Sequence, residues 1–370
     1  MTQDNGTPRG LTLPALPADR SEERSLWARV LPKFLVSVAL GALFAWIAAR
    51  GGIPLLPPMA ALSSIRPWAI PAYLGTLLLV HYFRASRWRF LIAPVKHVPL
   101  REVLTLNWIG FFAIFILPLR LGELARPALT KLRQGVPISA GFGTVAVERV
   151  ADGLLTSLCV AFTLVVLPRL PTQDAVAKHL PLYGYAALSL FSCAFVALGM
   201  FLWQRVFAMR VTRWTVGMVS PRLGQLLAEK VGSVADGLRS IGSPRLAAGF
   251  LIESLAYWGV NACGVWLLAQ GVGLPLTLGH AVAVMGVLAI GILLPTGPGL
   301  FGNFQLAVFA CLKLFFPEDV VAGQGAVFVF LLYVLQSSVM IVAGVIPLYA
   351  LQLRMSDLVR VSVVPSQTPN

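Results

Sequence analysis

A Pro/Gly-rich break between two apolar segments constrains the fold of this chain more than any other feature. Residues 293–305 read Leu-Leu-Pro-Thr-Gly-Pro-Gly-Leu-Phe-Gly-Asn-Phe-Gln, and the apolar runs on either side are too short to cross a bilayer alone. Backbone that leaves helical geometry in hydrocarbon has unpaired polar groups, so it is tolerated only where it faces protein or a watered cavity. The break therefore predicts a cavity inside a membrane.

A second break has the same design about half a chain earlier. Residues 115–127 read Phe-Ile-Leu-Pro-Leu-Arg-Leu-Gly-Glu-Leu-Ala-Arg-Pro, which is a short apolar run, a Leu-Pro stop, and then Gly and a new helix. Two broken segments at corresponding places in two halves are typical of a transport site.

The composition places the chain in a membrane. Hydrophobic residues make up 57% and charged residues 12%, against roughly 25% charged residues in a soluble domain, and the mean hydropathy is +0.80. We predict an all-α, polytopic helical membrane protein. The cysteines lie within apolar runs and show no CxxC or Cys/His spacing, so we expect no disulfide framework, metal site or cofactor.

The net charge of +14 reflects topology rather than nucleic-acid binding, because the basic residues lie in short loops between apolar runs. We predict a disordered cytoplasmic tail at 1–28, a transmembrane domain at 29–354 and a cytoplasmic tail at 355–370. The runs at 104–117 and 279–294 extend only about 21 and 24 Å, less than the ~30 Å of hydrocarbon, so we interpret them as re-entrant. About six full spans are expected, at 31–49, 68–83, 143–168, 182–203, 246–269 and 324–352.

The distribution of Lys and Arg gives an orientation. With both termini cytoplasmic and both short runs re-entrant, 24 of the 29 basic residues lie inside and five outside, as expected for a protein of the cytoplasmic (inner) membrane. Each short run and the helix that follows it then form a re-entrant pair. The first pair enters the membrane from the cytoplasm and the second from outside. This arrangement predicts an inverted repeat.

The first candidate site follows the break at Pro118. Arg120, Glu123 and Arg126 surround a predicted helix start, where guanidinium forks and free N–H groups favour a phosphate headgroup. The alternative is a basic loop beside the membrane, with Glu123 as a neutralising partner.

Three charges lie close together in the span that begins near Gly143. Glu148 and Asp152 share one helix face, and Arg149 can pair with Asp152. Because charges inside a span are costly, we interpret them as lining the site. The alternative is that they extend to the nearby interface.

In the second break, Pro295 and Pro298 stop the incoming helix, and Gly297, Gly299 and Gly302 permit positive φ. A helix that begins near Gly299 would direct free N–H groups to mid-membrane and bind an anion. The alternative is a structural kink.

Other charged residues favour structural roles. Arg84, Arg87, Trp88 and Arg89 are predicted to form an interfacial anchor, and Glu253 is an isolated acid that we expect to be hydrogen-bonded.

These motifs resemble the flippase-like membrane family that includes the transmembrane part of lysylphosphatidylglycerol synthases. The resemblance covers about 30–352 and implies a polytopic inner-membrane protein that moves lipids between leaflets. One departure is Gln305, where the family usually has an acid, which argues against cation coupling through that position. The matching residues are Arg87-Trp88, Asn107, 118–123, Arg126, Glu148-Arg149, Asp152, Pro295, Pro298-Gly299, Gly302 and Phe304.

Together, the motifs and the resemblance predict a non-enzymatic flippase for a phosphate-bearing lipid, either a phospholipid or a polyprenyl-linked glycolipid. Its expected partners are membrane lipids with an anionic or phosphate-bearing headgroup, and a membrane enzyme is a possible partner. Two alternatives stay open. One is a membrane-embedded lipid or glycan transferase that uses Glu148 or Asp152 as a base, and the other is a non-transporting accessory subunit of a membrane enzyme.

Overall fold

The structure, a computed structural model, describes residues 20–50, 56–57, 62–63, 65–170, 175–203, 210, 214, 243–293, 297–353 and 357–359. Among these residues there are helices and turns but no strand. The α-helices used below are α1 (Arg20–Arg50), α2 (Ala69–Ser86), α3 (Trp88–Ile92), α4 (Leu100–Ile116), α5 (Ala125–Gln134), α6 (Ile138–Val166), α7 (Ala175–Trp203), α8 (Pro244–Gly271), α9 (Leu278–Gly291), α10 (Asn303–Phe315) and α11 (Ala326–Ala350).

Helix ends follow the local sequence. Leu117 is extended directly before Pro118 and ends α4, because the proline ring disfavours helical backbone in the preceding residue. Gly135 ends α5 with φ of 64°, a left-handed conformation that suits glycine. At the start of α9, the Thr277 side chain accepts a hydrogen bond from the His280 backbone N–H, which satisfies one of the free donors of the first turn.

Within the described part of the chain, five helical segments are long and apolar enough to cross a membrane, so the protein is a multi-pass membrane protein. Four of the six predicted spans coincide with such segments, while 31–49 and 68–83 lie in α1 and α2, which are helical but are not among the five. The remaining segment, Pro298–Phe315, begins in the second break, where the sequence predicts a re-entrant pair. The total of six therefore stays a prediction. The five segments are Ile138–Val166, Ala177–Val196, Pro244–Gly271, Pro298–Phe315 and Glu318–Ala350.

The amino-terminal boundary needs a correction. Helix α1 begins at Arg20, so residues 20–28 are helical rather than part of a disordered tail, and residues 1–19 lie outside the described part. In the predicted tail at 355–370, the described residues 357–359 are helical, and Leu358 and Val359 are buried.

The first broken segment folds back on itself. A 3₁₀ helix (Pro118–Leu124) follows α4 and leads into α5. The Arg133 guanidinium donates to both carboxylate oxygens of Glu102 at 3.0 and 3.1 Å, so the end of α5 lies beside the start of α4. At Gly122, a Cβ would lie 2.1 Å from the backbone of Ala113, so only glycine allows this close approach. We call α4, the 3₁₀ helix and α5 the first hairpin.

The second broken segment has the same form. The His280 ring, at the start of α9, packs against Phe315 and Phe316 at the end of α10, with ring centroids 5.0 and 5.1 Å apart. Within the pair, a Cβ on Gly291 would lie 2.6 Å from the Cβ of Ala307. We call α9, the break and α10 the second hairpin.

Helix α6 separates the open ends of the two hairpins. Its 29 residues extend about 43 Å. Before its start, the Lys96 Nζ donates to the Gln134 carbonyl at 2.5 Å. After its end, the Leu170 N–H donates to the Leu314 carbonyl at 2.8 Å. The first hairpin therefore opens at one end of α6 and the second at the other.

Candidate functional site

A polar cavity of about 120 Å³ lies between α2, α6, α7, α8, α9 and α11. It is surrounded by helices of both halves of the chain, and aromatic and aliphatic side chains complete its wall. A charged cavity within membrane-spanning helices is a functional-site candidate, because intramembrane charges are expensive to insert. The polar side chains at its wall include Arg84, Arg149, Asp152, Thr156, Asn261 and Gln336.

Arg84 enters the cavity from the last turn of α2. Its guanidinium carbon lies 4.0 Å from the centroid of the Phe111 ring, a cation–π contact that leaves the edges of the planar group able to donate hydrogen bonds. Among the described residues, no carboxylate lies within 4.0 Å of this guanidinium. Arg84 therefore contributes an uncompensated positive charge.

Asp152 is bound by Arg87 rather than by Arg149. Two guanidinium nitrogens of Arg87 donate to the two carboxylate oxygens of Asp152, each at 2.6 Å, and Trp258 Nε1 donates to Oδ1 at 3.1 Å. Arg87 is only 2% exposed and also donates to Ser254 at 3.2 Å. The predicted pair of Arg149 with Asp152 is wrong, and so is the interfacial role predicted for Arg87, because the two residues form a buried, bidentate pair.

Arg149 is the second guanidinium at the cavity wall. Its nearest carboxylate among the described residues is that of Glu123, with Nε and Oε1 4.0 Å apart, and the two side chains are 28% and 30% exposed. The Nε of Arg149 is buried and donates no hydrogen bond. Since Asp152 is paired with Arg87 and Glu123 lies 4.0 Å from Arg149, Arg84 supplies the unmatched positive charge of the cavity, and Arg149 adds a second guanidinium at its wall.

Arg126 and Glu148 belong to a separate buried network. Arg126 donates to the Asn107 side-chain oxygen at 2.6 Å and also to the Glu148 carboxylate. Its guanidinium lies 5.4 Å from the Trp88 ring, and Trp88 donates to Thr144 at 2.9 Å. The hydrogen bonds of Arg126 are thus directed to protein in this conformation. The side chain of Arg120 lies outside the described part, so a phosphate site formed by both arginines stays a prediction.

The charges on α6 lie in the middle of the helix rather than near an end. Because α6 begins at Ile138 rather than near Gly143, Glu148 and Asp152 lie about 15 and 21 Å from its start along the axis. Glu148 is 3% exposed and contacts Arg126, so it faces protein. The burial of Glu148 against Arg126 disfavours the alternative that this side chain extends to the interface.

The second break is closely packed. A Cβ on Gly297 would lie 2.7 Å from the Gly41 Cα of α1. Gly299 has φ of 70°, follows Pro298, and accepts a hydrogen bond from the Tyr333 hydroxyl at 3.1 Å through its carbonyl. Pro295 lies outside the described residues. Of the residues at this break, Ile292 and Leu293 reach the polar cavity.

The helix after the break starts later than predicted. Helix α10 begins at Asn303 rather than near Gly299. Gly302 has φ of 90°, and its N–H donates to the Gln305 side-chain oxygen at 2.8 Å. One backbone N–H at the start of this helix is therefore bound by Gln305, and a carboxylate at that position would accept the same hydrogen bond.

Sequence reasoning missed several cavity residues. The sequence predicts that Arg84 belongs to an interfacial anchor after a span that ends at 83, whereas α2 continues to Ser86 and Arg84 lines the cavity. Asn261 and Gln336 are amides inside long apolar helices, and such residues signal a polar interior even without a motif. Glu253 is hydrogen-bonded as expected, because Ser86 and Arg89 both donate to it.

The fold and the charges together define a class, a polytopic α-helical membrane protein with ionic groups buried around a central cavity. Residues 33–355 match the family described as the lysylphosphatidylglycerol synthase TM region, and the chain belongs to this family. The chain is also 27% identical over 304 residues to a Haloferax volcanii protein named glycosyltransferase AglD. That match covers 73% of this chain and 48% of the relative, so the chain spans about half the length of that protein. No solved structure matches the chain.

Proposed function

We propose that the protein moves a phosphate-bearing lipid between the leaflets of the cytoplasmic membrane, with the headgroup passing through the polar cavity. The observation that carries this proposal is the pair of guanidiniums at the cavity wall, Arg84 and Arg149, beside one carboxylate that Arg87 already occupies. The guanidiniums at the cavity wall can donate hydrogen bonds to an anion, and phosphate oxygens fit the planar fork of an arginine.

The location of the cavity favours a lipid over a soluble anion. Four of the six helices around it, α6, α7, α8 and α11, include segments that are long and apolar enough to span a membrane. In such surroundings an unpaired guanidinium is costly unless an anion or water reaches it. The family name refers to synthases of an aminoacylated glycerophospholipid. That name supports a phospholipid headgroup as the ligand.

The hairpins supply the proposed route. We propose that both are re-entrant and that they form the oppositely oriented halves of an inverted repeat. The supporting contacts are the Arg133–Glu102 pair, which joins the two ends of the first hairpin, and the edge-to-face contact of His280 with Phe315, which joins those of the second. Since the hairpins open at opposite ends of α6, each can line access from one leaflet.

The sequence predicts that the headgroup binds Arg120 and Arg126. In this proposal, that site is where the headgroup enters the protein from the cytoplasm. A small pocket lined by Phe111, Glu123, Arg126 and Arg149 lies between the first hairpin and α6. Arg149 also lines the polar cavity. The small pocket has a volume of only about 10 Å³, so a phosphate that moves from the break to Arg84 along adjacent guanidiniums must first widen it. Binding to Arg126 requires that the phosphate replace the Glu148 carboxylate.

The experiment measures exchange and binding of labelled phosphatidylglycerol in proteoliposomes that contain the full chain. We expect Arg84→Gln to weaken binding by about 10- to 100-fold, because a charge-assisted hydrogen bond contributes roughly 1.5–3 kcal/mol. Arg84→Lys should recover part of this loss, because it keeps the charge but not the fork. Arg101→Gln, an exposed arginine away from the cavity, is the matched control and should behave like wild type.

Two results would overturn the proposal. One is exchange by the wild-type protein at the rate of empty liposomes. The other is wild-type binding by Arg84→Gln in a protein that remains monodisperse.

A membrane-embedded transferase is the second candidate, favoured by the name of the relative glycosyltransferase AglD. Its base would be Glu148 or Asp152, but each carboxylate is held by an arginine and would have to be released first. Incubating the purified protein with lipid and a sugar-nucleotide donor tests this candidate, and a glycosylated product that is lost in Asp152→Asn would favour it. An accessory role would instead give copurification with a membrane enzyme and no lipid movement.

A further inference from the structure

A second, larger cavity lies beside the polar one. Its volume is about 360 Å³, and its wall is almost entirely hydrocarbon. Two of its lining residues on α7, Tyr183 and Ala186, are exposed. This apolar cavity is lined by residues that include Val160, Leu180, Gly184, Val287, Ile290 and Ala307.

Helix α9 divides the two cavities. Leu288 lines the polar cavity and Ile290 the apolar one, and two residues apart on a helix they point to opposite faces. On α6, Thr156 lines the polar cavity and Val160, one turn further, lines the apolar one. Helix α9 crosses α6 at Gly286, between these two residues. A Cβ added to Gly286 would lie 2.6 Å from Val160 and 3.1 Å from the Thr156 carbonyl.

Residues at the carboxyl end of α9 line both cavities. Ile290 and Gly291 line the apolar cavity, and the next two residues, Ile292 and Leu293, line the polar cavity. Helix α9 stops at Gly291, so the two sets of lining residues are adjacent in the chain at its carboxyl end. One molecule with a charged end and an apolar end could therefore occupy both by lying across this helix end.

We propose that the apolar cavity binds one fatty acyl chain of the phospholipid whose headgroup occupies the polar cavity, with the lipid lying across the carboxyl end of α9. This inference rests on the proposed function. Asp152 and Val160 lie about 12 Å apart along α6, a separation that the glycerol backbone and first methylenes of a phospholipid can cover.

The charges of the site favour a glycerophospholipid over a polyprenyl phosphate. The buried arginines Arg87 and Arg126 are each paired with a carboxylate, and Arg149 has Glu123 at 4.0 Å. Arg84 supplies the unmatched charge, and one unmatched charge suits a phosphodiester, which carries a single negative charge. A phosphate monoester carries between one and two at neutral pH.

The experiment compares binding of dioleoyl and dihexanoyl phosphatidylglycerol to the full chain in detergent. Ala186 is exposed and lines the apolar cavity, so Ala186→Trp should fill its mouth without disturbing the core. Ala146→Trp is the matched control, because Ala146 is exposed on α6 and lines neither cavity. We expect Ala186→Trp to weaken dioleoyl binding at least about tenfold, since buried methylenes add to affinity, and to leave dihexanoyl binding unchanged.

A second measurement does not depend on a variant. Phosphatidylglycerol with a photoactivatable group at the end of one acyl chain should crosslink to the segments 180–186 and 290–310 of the wild-type protein. Crosslinks confined to other segments, or wild-type dioleoyl binding by Ala186→Trp, would overturn the proposed acyl-chain site. Neither result would affect the proposed headgroup site. Loss of undecaprenyl phosphate binding in Ala186→Trp, with dioleoyl binding unchanged, would overturn the choice of an acyl chain. In contrast, wild-type binding by Arg84→Gln would overturn the proposed function itself.

Discussion

Three arginines of this protein differ in what they contact: Arg87 and Arg126 are buried, whereas Arg84 is partly exposed. The difference separates structural from functional charges. Arg87 and Arg126 each bind a carboxylate and a further polar side chain. Arg84 stacks on Phe111 and faces the cavity. Removing one member of a buried pair leaves the other charge uncompensated, which is strongly destabilising. Removing Arg84 leaves no such partner, so its loss should affect binding rather than folding.

Asp152→Asn is the test of a structural pair. We expect it to lower the free energy of unfolding by about 3–5 kcal/mol, because Arg87 would lose its carboxylate. The double variant Arg87→Gln/Asp152→Asn should recover part of this loss, because it removes both charges together. Thermal unfolding in detergent measures the effect, with the exposed Asp319→Asn as control. Equal unfolding temperatures for Asp152→Asn and Asp319→Asn would contradict the pair.

Arg126→Lys distinguishes a structural from a headgroup-binding arginine at the first break. Two of its guanidinium nitrogens donate to Asn107 and Glu148, and a lysine cannot reproduce that fork. We expect a destabilisation of about 1–3 kcal/mol, measured by thermal unfolding. Arg84→Lys, the control, should unfold like wild type. A stable Arg126→Lys variant with weakened lipid binding would instead favour the phosphate site predicted from the sequence at Arg120 and Arg126.

At this scale the sequence predicted the identity of the charged residues better than their partners. Glu148, Arg149 and Asp152 stand out because charges are rare in apolar spans. The partner of Asp152 is Arg87, 65 positions earlier, and helical spacing carries no information about a contact between different helices. Local spacing therefore suggested Arg149 instead.

At the scale of the elements, the Leu-Pro breaks determine where helices stop, and contacts between helices determine how the chain continues. The end of α4 at Ile116 agrees with the break predicted at Pro118. The closure of the first hairpin by Glu102 and Arg133 depends on tertiary packing, as does the capping of Gly302 by Gln305. Proline and glycine signals could predict the breaks, but they could not show which polar groups would satisfy the backbone there.

Gly122→Ala tests the close packing of the first hairpin. The added methyl would lie 2.1 Å from the backbone of Ala113, so the 3₁₀ helix must separate from α4. We expect a loss of several kcal/mol, about 3 or more, since overpacking against rigid backbone cannot relax through a side chain. The control is Gly259→Ala in α8, where the new methyl meets nothing within 4 Å. That variant should be neutral or up to about 1 kcal/mol more stable, and similar unfolding temperatures for both variants would exclude the close approach.

At the scale of the whole molecule, the positive-inside rule and the contacts between loops point to one arrangement. The loops around Lys96 and Gln134, both assigned to the cytoplasm from their charge, are joined by a hydrogen bond. The segments at Leu170 and Leu314, both assigned outside, are joined by another. The Arg66 N–H likewise donates to the Gly271 carbonyl at 2.9 Å, between two segments assigned outside. Counting Lys and Arg in the loops could predict which segments lie on the same side of the membrane, because the count needs only the sequence. The cavities depend on how the helices pack, so the count could not predict them.

Cysteine labelling tests this arrangement and the re-entrant hairpins together. The four native cysteines are first replaced, and single cysteines are then introduced at exposed positions. Cysteines at Arg101 and Pro137 mark the two ends of the first hairpin. Cysteines at Leu278 and Pro317 mark the two ends of the second. We expect a membrane-impermeant maleimide to label Leu278→Cys and Pro317→Cys in intact cells. Arg101→Cys and Pro137→Cys should react only after permeabilisation.

The pattern within each pair of cysteines decides the outcome, because a hairpin that returns to its own side places both ends in the same compartment. Reversed labelling of all four positions would invert the orientation and leave the hairpins intact. Labelling of the two ends of one hairpin from opposite sides would mean that this segment crosses the membrane. Every later loop would then change sides, and the 24 to 5 distribution of Lys and Arg would no longer follow the positive-inside rule.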